Sequence, residues 1–131
     1  FGRSSACLTK EGFNQLFTVD KPVIVNFHGY PQTIKSILYD YVTGSPQRFS
    51  VHGYIENGST TTPFDMQVRN QTSRYDLAIE AFEKLSADNK IPYEDAQHFI
   101  ATIKAKLTKN TEYIKANGVD LSEIENWKWT N

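Results

Sequence analysis

Among its 131 residues the chain has a single cysteine, Cys7, so no intrachain disulfide can form. With nothing pointing to export, a reducing cytoplasm is the expected compartment. The sequence also lacks the run of about 18 apolar residues that a membrane-spanning helix requires, and it shows no secretory leader. It has no excess charge of either sign. Fourteen basic and 15 acidic residues are spread along its length, for a net charge of −1. That balance excludes a phosphate-tracking surface for nucleic acid or for an anionic membrane. Gly29, Gly44, Gly53 and Gly58 match neither G-x-G-x-x-G nor a P-loop, which disfavours a nucleotide-binding βαβ unit. Three histidines without metal-ligand spacing give no zinc site. No internal repeat or low-complexity block is visible.

What is present is globular in character. With 39% hydrophobic and 13% aromatic residues, the chain has the length of one ordinary domain, able to bury roughly two thirds of its unfolded surface. Its organising stretch is Pro22-Val23-Ile24-Val25-Asn26-Phe27-His28-Gly29-Tyr30-Pro31. An unbroken β-branched run suits a strand covered on both faces, as in parallel sheets. From Pro31 the apolar residues Ile34, Ile37, Leu38, Tyr41 and Val42 take helical spacing, which predicts a helix over 31–42 with Pro31 in its first turn. The breaker cluster Thr43-Gly44-Ser45-Pro46 must end it. Strand, turn and helix together make the front of a βα unit.

Elsewhere, Thr9 is a plausible N-cap for a short helix with Phe13, Leu16 and Phe17 on one face. Residues 1–7 read as a start without regular structure, and 8–131 as the domain. A second strand is expected within 48–55, where Phe49, Val51 and Gly53 alternate with Ser50, His52 and Tyr54. A turn follows at 56–59. Thr62, Pro63 and Asp65 form an acidic variant of the capping box and start another short helix. Thr72 and Ser73 offer a further cap, for a helix with Leu77, Ala78, Ala81, Phe82 and Leu85 that reaches about Ser86. The strongest helical pattern spans 92–117, with Ala96, Ile100, Ile103, Leu107 and Ile114 on one face and Gly118 as its stop. At 1.5 Å per residue such a helix is about 39 Å long, more than a small core needs, so its far end is expected to reach a neighbour. Residues 120–131 form an acidic tail ending in Trp127-Lys128-Trp129.

Of the candidate site residues, His28 stands where ligands of open α/β sheets bind, at the carboxyl end of the central strand. The turn at Gly29 and Tyr30 directs backbone N–H groups toward the same crevice, which suits an anion. No acidic, cysteine or second histidine partner is near in sequence, so a structural or interface role for His28 is favoured over a ligand contact. His52 and His98 read as structural. Thr60, Thr61 and Thr62 could bind a phosphate, but capping accounts for Thr62 without one. Cys7 has no base or helix terminus to activate it. The two tryptophans favour packing on their own domain over a partner-binding edge.

His28-Gly29-Tyr30-Pro31, with Asp20-Lys21-Pro22-Val23-Ile24 before it and Thr60-Thr61-Thr62-Pro63-Phe64-Asp65-Met66 after it, resembles the C-terminal domain of phosphoketolase. The resemblance continues through Val68-Arg69-Asn70 and Ser73-Arg74-Tyr75 to the Trp127-Lys128-Trp129 tail. It implies an α/β fold like the transketolase C-terminal domain, a three-layer sandwich with a mostly parallel sheet. It further implies a cytoplasmic parent enzyme of carbohydrate and pentose phosphate metabolism, an aldehyde-lyase dependent on thiamine diphosphate and magnesium. Such an enzyme splits xylulose 5-phosphate with phosphate into acetyl phosphate and glyceraldehyde 3-phosphate, and some members accept fructose 6-phosphate. Its cofactor lies between the N-terminal and middle domains of paired subunits in a homodimer or higher homo-oligomer. This sequence lacks the Gly-Asp-Gly motif that holds the magnesium and diphosphate, so the resemblance implies a fragment without catalytic, cofactor-binding or metal residues, inactive alone. His28, Gly29, Tyr30, Thr61, Thr62 and Asp65 are then candidates for interface or anion contact. Two departures stand out: residues 1–7 cannot supply the family's opening strand, which leaves a sheet edge exposed, and Gln32 and Thr33 replace a Trp and an aliphatic residue. The alternative reading is a stand-alone module binding a small anion, or a regulatory one.

Overall fold

A computed structural model describes residues 7–42, 44–55, 58 and 60–129. The start expected over residues 1–6 and parts of the turns expected at 43–46 and 56–59 lie outside the described residues. Helix α1 (Lys10–Phe17) begins where Thr9 accepts a hydrogen bond from the Gly12 N–H at 3.1 Å. Its Phe13 is buried among rings, with centroids 4.8 Å from Phe17 and from Tyr41 and 6.0 Å from Phe49. A helix end leaves carbonyls without partners, and here Arg48 supplies them. Its guanidinium donates to the carbonyls of Phe17 at 2.9 Å, Thr18 at 2.9 Å and Lys21 at 2.7 Å. Thr18 itself takes the left-handed region, with φ 55°.

Strand β1 (Val23–Phe27) pairs in parallel with β2 (Phe49–Gly53), in a register that sets Val23 against Phe49 and Phe27 against Gly53. Helix α2 (Pro31–Leu38) makes the crossover between them and packs on β2, preceded by a 3-10 turn at Pro46–Arg48. The chain is thus α/β, with a two-stranded parallel sheet among the described residues. Two expectations differ in detail. Helix α2 ends at Leu38, short of Val42, and Ile37, expected on its buried face, is 60% exposed. The strand run is half-buried with Asn26 exposed, rather than covered on both faces. The exposure of Ile37 and of the strand has one origin. The outer side of β1 opens into an apolar cleft of about 600 Å³, lined by Val23, Ile24 and Val25 with Phe13, Phe17, Ile34 and Ile37.

The carboxyl ends of the strands are drawn tightly together. The Tyr54 N–H donates to the Gly29 carbonyl at 2.8 Å. A Cβ at Gly53 would stand 2.3 Å from that same oxygen and 2.8 Å from Pro31, so only glycine fits there. Helix α3 (Pro63–Arg69) is capped by Thr62, and α4 (Arg74–Ala87) by Ser73. Helix α4 packs on α5 (Tyr93–Asn117), which is about 37 Å long. Ala96 and Ile100 are buried, and Phe82 stacks on Phe99 with centroids 5.0 Å apart. Gly118, with φ 74°, stops α5 as expected. The tail then forms a helix the sequence reading did not foresee, α6 (Ser122–Glu125), with Ile124 buried. None of the described helices is long and apolar enough to cross a membrane.

Candidate functional site

At the carboxyl ends of β1 and β2 lies a cleft of about 730 Å³, lined by Asn26, Phe27, His28, Tyr54, Thr61, Thr62, Pro63, Met66, Gln67 and Thr72. This is the position at which open parallel sheets receive ligands. Each wall has a local cause. Strand β1 ends at Phe27 and presents exposed His28, while Asn26 donates to the Thr72 carbonyl at 3.1 Å and ties the strand to the α3–α4 turn. The Ile55 N–H donates to Asn70 Oδ1 at 2.9 Å and fixes the exit of β2 on α3. Thr62 accepts from the Asp65 N–H at 3.1 Å, so that the first turn of α3 faces the opening.

Of the sequence candidates, the cleft therefore brings together His28, Thr61 and Thr62. Gly29 and Tyr30 are not among its lining residues, and Tyr30, the residue before α2, is 63% exposed. Asp65 is 4% exposed and turned inward, accepting from Thr61 Oγ1 at 2.6 Å and from Arg69 Nε at 2.8 Å. Asp65 thus holds Thr61 in place and takes no part in lining the cleft. Among the described residues no Lys, Arg, Asp or Glu lines it. No nucleophile with an adjacent base stands among the lining side chains, because the Thr61 hydroxyl is already committed to Asp65. The arrangement can seat a neutral, hydrogen-bonding surface.

A second polar cluster, which no local pattern announces, lies between β2 and α4. His52 Nε2 meets Glu80 Oε2 at 2.5 Å, and Lys84 reaches Glu80 Oε1 at 3.2 Å. Burial pushes the Glu80 carboxyl up, but hydrogen bonds from Ser50, His52 and Lys84 outweigh it and hold the group below its ordinary value. Asp76 behaves oppositely. Burial raises it above the usual carboxylate value although Ser73 hydrogen-bonds to it. His52 stands 28 residues from Glu80, a separation without any periodic signal.

A family model described as the XFP C-terminal domain matches residues 2–129. The chain belongs to that family. The XFP C-terminal domain seen here is similar to a probable phosphoketolase of Brucella abortus (strain 2308), at 41% identity over 123 residues. That match covers 94% of this chain and 15% of the relative. A probable phosphoketolase 2 of Rhizobium meliloti (strain 1021) is 42% identical over 122 residues, covering 93% of this chain and 15% of that protein. One from Pseudomonas putida is 40% identical over 125 residues, or 95% of this chain and 15% of its own length. The XFP C-terminal domain therefore spans about 15% of the length of these curated relatives and corresponds to the C-terminal domain of a phosphoketolase.

Among the described residues no group of three His, Cys, Asp or Glu side chains could hold a metal ion. The donor set that a magnesium–diphosphate pair needs does not fit this domain.

Proposed function

We propose that this chain, over residues 8–131, is the structural and interface domain of a cytoplasmic phosphoketolase and is inert by itself. The parent reaction is the cleavage of xylulose 5-phosphate with phosphate to acetyl phosphate and glyceraldehyde 3-phosphate. It is a thiamine diphosphate- and magnesium-dependent aldehyde-lyase reaction of pentose phosphate metabolism. The N-terminal and middle domains of a homodimer or larger homo-oligomer hold the cofactor. One observation carries the reading: the family match over residues 2–129 falls on a chain that spans about 15% of the phosphoketolases it resembles, at their C-terminal domain.

Two surfaces support the interface role. The first is the cleft of His28, Thr61 and Thr62, whose placed polar groups and apolar floor suit a segment of a preceding domain. The second is the outer side of β1. A two-stranded parallel sheet is marginal by itself and normally continues under cover. The apolar cleft along Val23, Ile24 and Val25 is where the opening strand of a transketolase-like three-layer sandwich would pair. The anion-binding alternative has less support, since no Lys or Arg lines the strand-end cleft.

The test is direct. Purified chain is titrated with thiamine diphosphate and magnesium by calorimetry, then assayed for acetyl phosphate formation. No heat of binding and no turnover are expected; either one would overturn the reading.

A further inference from the structure

The chain's only two tryptophans, Trp127 and Trp129, both lie beyond α5, in the acidic tail. That stretch is docked through few groups. Asn110, 2% exposed on α5, donates to Asp120 Oδ1 at 2.7 Å and accepts from the Leu121 N–H at 2.8 Å. Ile124 is buried, and its carbonyl accepts from Arg74 Nη2 at 3.1 Å. The Arg74 guanidinium also lies 4.7 Å from the Trp127 ring centroid, 4.6 Å from that of Tyr75 and 5.1 Å from that of Phe64. Beyond this the tail loosens. Trp129 packs edge-on against Trp127 and is 84% exposed.

Arg74 is unusual in what it lacks. Among the described residues no carboxylate pairs with it, and its Nε is buried with no hydrogen-bond partner. A buried donor left unmet works against the state that buries it. Docking of the tail therefore gains one carbonyl and a ring face at the guanidinium while keeping Nε from water. Release would let water reach that donor. The Asn110 bonds, buried Ile124 and the guanidinium hold the tail, and the unmet Nε is the cost set against them.

We propose that residues 120–129 form a strap that docks and undocks as one unit, with Arg74 as the pin. Its docked position bears on the candidate site. Phe64, beneath the Arg74 guanidinium, belongs to the first turn of α3, and the neighbouring Pro63 and Met66 line the strand-end cleft. Undocking uncovers Phe64 and Tyr75 and removes the support behind that wall. The inference stands on the packing of this chain and does not depend on the parent reaction.

The test uses the full 131-residue chain carrying Trp129→Phe, so that Trp127 alone reports. Its emission, its quenching by acrylamide and the far-UV circular dichroism are followed through one urea series. The expected result is a red shift and increased quenching at urea concentrations where the helical signal is unchanged. Arg74→Leu should remove that early transition, leaving Trp127 in its quenched-by-acrylamide state from the start, with the helical midpoint preserved. Coincident fluorescence and circular dichroism transitions would overturn the strap. Should Arg74→Leu fail to fold, Arg74→Lys keeps the charge but loses the planar fork. It must move the fluorescence midpoint and leave the helical one, or the pin is wrong. Amide exchange gives an independent reading on the unsubstituted chain. Faster exchange at Ile124, Glu125 and Asn126 than at the centre of α5 supports undocking, and equal protection contradicts it.

Discussion

Arg48 holds together a corner that has no strong propensity of its own. Three carbonyls at and after the end of α1 take their hydrogen bonds from its guanidinium, which also stacks 4.2 Å from the Phe49 centroid. Removing it leaves three acceptors without their donor, the Phe17 carbonyl among them partly buried, and exposes the Phe49 ring face. Arg48→Ala should therefore destabilise the chain by about 2–3 kcal/mol, the order expected for breaking a charged hydrogen-bond cluster. Urea unfolding checks this, and an unchanged midpoint would show that the corner forms without the arginine. The contrast with the caps is instructive. Thr9, Thr62 and Ser73 each bond to an amide three residues on, so their roles were legible from spacing alone. Arg48 and Arg74 bond to partners 27 to 50 residues away, and no local pattern announces them.

Between elements, the tie from β2 to α4 is ionic and should depend on pH. Glu80 is held below its ordinary value in the folded chain, so its contribution is present above the unfolded carboxylate value and is lost as pH falls through the folded one. Asp76 is raised and acts in the opposite sense, binding its proton more tightly when folded. Glu80→Gln should flatten the acid limb of the stability curve, narrowing the change between about pH 5 and pH 3 by roughly 1 kcal/mol, since the pair is partly screened. Thermal unfolding at stepped pH measures it. An acid limb as steep in the variant as in the parent chain would show that Glu80 does not carry the dependence.

The same scale explains which elements could be read in advance. The strand run and its parallel character followed from an unbroken β-branched stretch, and α5 from helical periodicity. The end of α2 did not, since Tyr41 and Val42 keep their apolar spacing but leave the helix, Tyr41 stacking on Phe13 and donating to the Leu8 carbonyl at 2.9 Å. Helix α6 escaped notice because four residues carry no period, and its formation rests on the burial of Ile124. The candidate site was half legible. His28, Thr61 and Thr62 were named from strand end and cap, and they converge on one cleft, whereas Asp65 was named beside them and turns inward to hold Thr61.

Taken as a molecule, the chain has the surfaces of a part rather than of a self-sufficient unit. Among the described residues its sheet has two strands, an apolar cleft runs along the outer side of β1, and α5 carries Tyr93 69% exposed and Phe99 50% exposed. Those features, and the family match to proteins of which this chain spans about 15%, are what the proposed completing role rests on.

The measurement that tests this most directly is complementation. A phosphoketolase relative is truncated before the position that matches Leu8, and acetyl phosphate formation from xylulose 5-phosphate is assayed with and without this chain. The expected result is a truncated enzyme with little or no activity that recovers when the chain is added. Full activity in the truncated enzyme, unaffected by the chain, would contradict a completing role for the domain.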